Sequence, residues 1–321
     1  MEHAVIVVIA LVMNALLAGP KALVDRLGIS PLLHWPARPL RTMERKLNRE
    51  HRSDGERQMR GLVVVAAIFI LSVVVGIIVT AISTATGRFL DVVLLFLLIP
   101  VRPTWDVAST IRTALIDQKL QLAQQALEGT VWRHHARLDA HGVARAAVEY
   151  QAVQFAEKIF APVMWYLLGG LPGLFFCLLV TLMYETFAIS GSAFGKPAQG
   201  VYLVMHWIPS RMVACMWIVA ALFQSRGKMK QTAASIWQYM SKTDHGTKNA
   251  QAMPSILPQA LQVACIATVL QVTLGGPPSA YTAKAWLGSG TVKLLPEHIR
   301  TAQYLFAVQH LLLLLLLGVV M

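Results

Sequence analysis

Residues 149–176 read EYQAVQFAEKIFAPVMWYLLGGLPGLFF, a stretch that opens with two carboxylates and ends in an apolar run suited to lipid. Glu149 and Glu157 are eight residues apart, so on a continuous helix they share a face just ahead of that run. Two readings stand open: catalytic groups facing a pocket at the membrane surface, or the solvated collar of a transmembrane helix. The apolar run, residues 159–183, is long enough to cross a hydrocarbon core, which takes about 20 residues. Its GGLPG predicts a kink or break midway.

The same character extends outward. Hydrophobic residues make up 56% of the 321 and charged residues only 14%, where a soluble domain would carry about a quarter charged. The apolar residues fall in long blocks, which predicts an all-α, polytopic helical integral membrane protein with cytoplasmic helical loops. Residues 5–17 with their flanks make a marginal span and residues 61–82 a clear one. Residues 89–101 are short, carry Asp91 and pair with the preceding span through STATGR. Residues 201–223 form a span interrupted by Pro209 and Arg211, and residues 256–274 are diluted by Gln259, Gln262 and Gln271. A terminal span, residues 304–321, contains seven consecutive leucines.

The net charge of +12 is gathered between these blocks. Residues 21–60 hold ten Lys or Arg against five acids (+5), and residues 224–255 hold five against one (+4). The positive-inside rule then puts both loops in the cytoplasm of a bacterial inner membrane, with the N-terminus outside. The charge suits a lipid bilayer as partner and not nucleic acid, because no aromatic residues interleave a basic patch. The N-terminus, MEHAVIVVIALVMNALLAGPKALV, lacks a basic stretch before its apolar run and reads as a retained span, not a cleaved signal. One domain over residues 1–321 is expected, with residues 102–158 as a cytoplasmic helical segment. In that segment Ile111, Leu115, Leu122 and Leu127 lie near one stripe, Gly129 is a stop, and a second helix begins near Asp139. No strand pattern with clear alternation is present.

P-loop, GxGxxG, HExxH and GxSxG motifs are absent. Cys177, Cys215 and Cys265 each sit in an apolar run without a CxxC partner and read as small buried hydrophobes. His134 and His135 have no carboxylate or cysteine at ligand spacing and read as a solvated pair. Four places hold chemistry. Arg145, Glu149 and Glu157 lead into the membrane, although Arg145 and Glu149 also suit a surface i,i+4 pair. HWIPSR, residues 206–211, sets a proline that frees backbone carbonyls beside Arg211. An ionisable residue within a span marks a polar cavity, or snorkels at a boundary. TKNAQAMPS, residues 247–255, offers Lys248 and Asn249. LGGPP and WLGSG, residues 274–278 and 286–290, supply glycines for close backbone approach or for ordinary turns.

Taken in order, GVARAAVEYQAVQFAEKIFAPVMWYLLGGLPG, HWIPSRM, TKNAQ, LGGPP and AWLGSG…LLPEHIR resemble the landmarks of the CobD/CbiB family of cobalamin-biosynthesis membrane proteins, over residues 142–300. The resemblance implies adenosylcobinamide-phosphate synthesis, joining aminopropanol phosphate to adenosylcobyric acid, a corrinoid, with ATP and Mg2+. It places Glu149 on the family's glutamate, as a metal ligand, Glu157 on an acidic position, Arg211 on an arginine and Asn249 on an asparagine. Arg145, Lys248 and Arg211 would meet phosphate. Several acids of the pattern are replaced: Val153 and Gln154 stand for Glu-Asn, Thr181 and Tyr184 for Asn and Asp, Tyr202 and Leu203 for Asp-Asp, and Ser289 for Asp. Such losses also resemble AmpE-type membrane proteins. The competing expectation is therefore an inactive relative that binds a ligand, another membrane protein or its own copies.

Overall fold

The structure, a computed structural model, describes residues 2–17, 37–49, 52–128, 138–188, 192–224, 229–241, 257–276, 279, 281 and 285–320. Lys248, Asn249, His134, His135 and Gly129 lie outside the described residues. In chain order the elements are α1 (Glu2–Leu16), α2 (Ala37–Leu47), α3 (Asp54–Ala85), α4 (Phe89–Leu98), α5 (Val101–Ile116), α6 (Leu120–Glu128) and α7 (Ala140–Gln154). A π-helical turn (Phe155–Phe160), α8 (Ala161–Met183) and a second π-helical turn (Tyr184–Ala188) follow. After them come α9 (Lys196–Gln224), α10 (Met229–Ser241), α11 (Pro258–Leu270), β1 (Thr273–Gly275), β2 (Trp286–Gly288) and α12 (Pro296–Val320). Among the described residues, five helical stretches are long and apolar enough to cross a membrane: Asp54–Ala85, Phe89–Ile116, Ala140–Phe187, Ala193–Gln224 and Pro296–Val319. The apolar helices Glu2–Leu16 and Pro258–Leu270 are shorter. The chain clusters into two compact units, one of residues 1–102, 157–206 and 317–321 and one of residues 103–156 and 207–316.

In the first unit α3 packs along α8. Between helices in lipid there is little hydrophobic drive, so close packing at small residues carries the association. Gly76 is that residue in α3: a Cβ there would lie 2.4 Å from Cα of Pro172. Pro172 sits in the expected break of α8, where Gly170 adopts φ 59°, ψ −151°. Asp91, buried in α4, is held by the hydroxyls of Ser83 and of Tyr166 (2.5 Å), with the Arg88 guanidinium at 3.6 Å. Asn14 of α1 ties the break between α4 and α5. Its amide donates to the carbonyls of Phe96 (2.7 Å) and Ile99 (2.8 Å), and its oxygen accepts from the backbone N–H of Arg102 (3.0 Å).

α9 runs through Pro209 without the expected interruption. Proline removes the N–H that would meet the Met205 carbonyl, and the Trp165 indole N–H donates to that carbonyl instead, at 3.2 Å. Val204, Ile208, Met212, Cys215, Val219 and Leu222 are exposed at spacings of three and four along α9. This stripe faces away from the packed side, as lipid contact requires. It also corrects the reading of Cys215: Cys177 and Cys265 are buried, but Cys215 lies on the stripe and is exposed.

In the second unit α7 packs on α6, α11 and β1, and α10 packs on α11. Asp139 caps α7 by accepting from the Gly142 N–H at 2.7 Å. The single stripe expected over residues 106–128 is interrupted. Gln118 takes φ 58° between α5 and α6, which resets the helical phase, so Ile111 and Leu127 are buried while Leu122 is exposed. The glutamines of α11 point inward. Gln262 accepts from the Trp217 indole at 3.1 Å and donates to the Ser210 carbonyl at 2.8 Å. Buried amides of this kind dilute a hydropathy window without being solvent-facing. The sequence shows no strand alternation, yet β1 and β2 form a short antiparallel pair, Leu274 opposite Leu287. Three residues per strand are too few for a period of two to register.

Candidate functional site

On α7, His141, Arg145 and Glu149 follow one another at i, i+4 and i+8 and so line one face. All three engage the glycine-rich segment between residues 275 and 294. His141 Nδ1 lies 2.8 Å from the Leu294 carbonyl. Arg145 donates to the Val292 carbonyl at 2.8 Å, and its guanidinium lies 5.6 Å from the centre of the Trp286 ring. Glu149 is buried, 3% exposed. Its Oε1 accepts from the Gly275 backbone N–H at 2.7 Å and its Oε2 from the Ser279 hydroxyl at 2.6 Å. Both oxygens of this carboxyl group are thus engaged by the loop, which Glu149 ties to α7.

The loop is shaped to allow this. Gly275 leaves β1 at φ 87°, and Gly276 follows at φ 84°. A Cβ on Gly276 would lie 2.5 Å from the Trp286 ring, so the indole seats against bare backbone. The Gly276 N–H donates to the Ala285 carbonyl at 2.8 Å, and the Ser279 N–H to the Gly276 carbonyl at 2.9 Å. The result brings a carboxylate, a guanidinium, an indole and a hydroxyl to one place. Trp286 is half exposed and Arg145 partly so, which leaves an aromatic and cationic surface beside the buried acid.

Glu149 and Glu157 take different partners. A π-helical turn, bonded i→i+5, opens at Phe155, and the two carboxylates belong to different compact units. Glu157 is buried and accepts from the Tyr202 hydroxyl. Arg211 stacks over the ring of Trp207, 4.0 Å from its centre, and donates to the Trp207 carbonyl at 3.2 Å. Of the candidates, then, Arg145 and Glu149 come together, whereas Glu157 and Arg211 each have local partners. His141 and Ser279 are additions. His141 was legible only as the residue four before Arg145, and Ser279 carried no signal.

Mg2+ demands octahedral geometry and is held by one or two carboxylates with substrate phosphates and water. The described residues contain no group of three His, Cys, Asp or Glu side chains able to hold a metal. The one carboxylate at this place already binds a backbone N–H and a hydroxyl. Taken alone, the described donors do not fit a protein-held magnesium.

Five apolar helical stretches with buried polar clusters between them define a polytopic α-helical integral membrane protein. Residues 7–306 match the CobD/Cbib protein family. The chain belongs to that family. It is 26% identical to the cobalamin biosynthesis protein CobD of Sinorhizobium fredii, over 86% of this chain and 82% of the relative. It is 30% identical to the protein of that name from Brucella suis, over 56% of this chain and 54% of the relative. The figure is 32% for the one from Rhodobacter capsulatus, over 54% of each. The stronger identities thus span about half the length of those relatives. No solved structure matches.

Proposed function

We propose that this protein acts in cobalamin biosynthesis as an adenosylcobinamide-phosphate synthase-like protein, joining aminopropanol phosphate to a corrinoid acid, adenosylcobyric acid. The observation that carries the reading is the meeting of three separate sequence landmarks at Glu149. The 142–149 stretch lies over a hundred residues before LGGPP and WLGSG in the chain, yet Glu149, Gly275, Ser279, Arg145 and Trp286 sit together. In this reading Glu149 orients the loop that receives substrate, and Arg145 offers its guanidinium to phosphate beside Trp286. Through the family pattern Lys248 and Asn249 are further phosphate and substrate contacts and ATP a co-substrate, with Mg2+ arriving on the ATP phosphates and not in a cage of protein side chains. The inner membrane, with the N-terminus outside, is the proposed setting, and self-association is part of the proposal.

The family match over nearly the whole chain supports this reading over an AmpE-like sensory role. The test is growth of a strain lacking the synthase, with cobyric acid as sole corrinoid precursor. The wild-type chain restores growth, and Glu149→Gln abolishes it while the protein still reaches the membrane. A well-expressed wild-type chain that fails to restore growth overturns the proposal.

A further inference from the structure

The first compact unit holds a second buried cluster with different chemistry. The two π-helical turns are tied by an ion pair, Lys158 Nζ to Glu185 Oε1 at 2.7 Å. Next to Lys158, Glu157 accepts from the Tyr202 hydroxyl. The Tyr202 ring stacks on Tyr184, the first residue of the second π-turn, with centroids 3.8 Å apart and planes 9° from parallel. The ring of His206, one turn along α9, is 4.5 Å from that of Tyr202. His206 Nε2 lies 3.0 Å from the Thr181 hydroxyl, which donates to the Cys177 carbonyl at 2.9 Å. Glu157, Tyr202, Tyr184, His206 and Thr181 are each no more than 7% exposed.

Thr181, Tyr184 and Tyr202 are three positions where this chain lacks the polar or acidic residues of the pattern it resembles. Separated in sequence, they converge around one carboxylate. A bound divalent ion of the magnesium type keeps several waters and needs free oxygen donors at about 2.0–2.1 Å. Here the one carboxylate carries a phenol on it, and the neighbouring acid, Glu185, is engaged by Lys158. The two phenol rings meet at van der Waals distance, so no water or ion enters between them.

We propose that Glu157 is a structural acceptor and not a metal or catalytic carboxylate. With Tyr202 and Tyr184 it forms a closed joint that locks the π-turns to α9, fills the volume a hydrated cation needs and takes no divalent ion. The packing argument stands whether or not the synthase reading holds. That reading is judged by complementation with the wild-type chain, which the following measurement does not touch.

The test is a Mn2+ titration of the purified full-length protein in detergent, followed by electron paramagnetic resonance, on wild type, Glu157→Gln and Tyr202→Phe. Mn2+ binding to Glu157→Gln stays within about twofold of wild type in number and affinity, including the case where neither binds. Loss of a bound ion, or an affinity about tenfold weaker in Glu157→Gln, overturns the proposal. Tyr202→Phe keeps the ring stack and removes one buried hydrogen bond, so its melting temperature falls by about 2–4 °C. An unchanged melting temperature in Tyr202→Phe also overturns it, because the joint would then hold nothing.

Discussion

Replacing Gly76 by alanine sets two physical effects against each other at the crossing of α3 and α8. Alanine is favoured over glycine in a helix interior by about 1 kcal/mol, so propensity alone raises stability. The new methyl, however, would lie 2.4 Å from Cα of Pro172, where ordinary contact begins at 3.4 Å. The obstacle is backbone at the break of α8, not a side chain able to swing aside. The helices must therefore part by roughly 1 Å, and such a gap forfeits about a quarter to a half of each contact's attraction. Overpacking of this kind costs about 1–3 kcal/mol, which outweighs the propensity gain. Gly55 is the internal control, because it lies in the same helix with nothing within 4 Å of its would-be Cβ. Gly55→Ala is thus neutral or slightly stabilising, and the two variants differ by about 1–3 kcal/mol. Thermal unfolding of the full-length chain in one detergent, followed by circular dichroism, reads the order directly. A Gly76→Ala protein that melts at or above Gly55→Ala would refute the argument that these helices touch backbone to backbone.

Trp165→Phe strips the Met205 carbonyl of its donor and lowers stability by about 1 kcal/mol. Pro209→Ala restores a backbone N–H there, so the double variant loses less than the sum of the two, read from melting temperatures of all three proteins. Under native conditions in detergent a maleimide modifies Cys215, and Cys177 and Cys265 react only after denaturation, as peptide mass spectrometry would register. For topology, a cysteine at Ser192 is labelled from outside intact cells and one at Ser53 is not. Labelling at Ser53 would reverse the orientation.

Much of the architecture was legible because long apolar runs have few alternatives to a membrane helix. The GGLPG break and the Asp139 start were readable for a similar reason, since proline, glycine and a capping acid act through neighbouring backbone. What the sequence hid depends on partners far along the chain. Pro209 reads as an interruption until Trp165 supplies a donor. The α11 glutamines read as polar dilution until Trp217 and the Ser210 carbonyl meet Gln262. Cys215 reads as core because lipid-facing and core positions are equally apolar, and hydropathy cannot separate them. At the site, Arg145 and Glu149 stood out as charges before an apolar run. The loop that gives them a role is fixed by glycine φ angles and a hydroxyl over a hundred residues away. The π-turn between Glu149 and Glu157 has no reliable sequence mark.

Asn14 sets an order on biogenesis. Its amide bonds reach residues 82, 85 and 88 positions later in the chain. At about 5–20 residues per second, a ribosome takes on the order of 4–17 s to supply them. Throughout that interval the nascent α1 carries a carboxamide without its final partners, in a helix otherwise suited to hydrocarbon. α1 is therefore secured only once the α4–α5 break has been made.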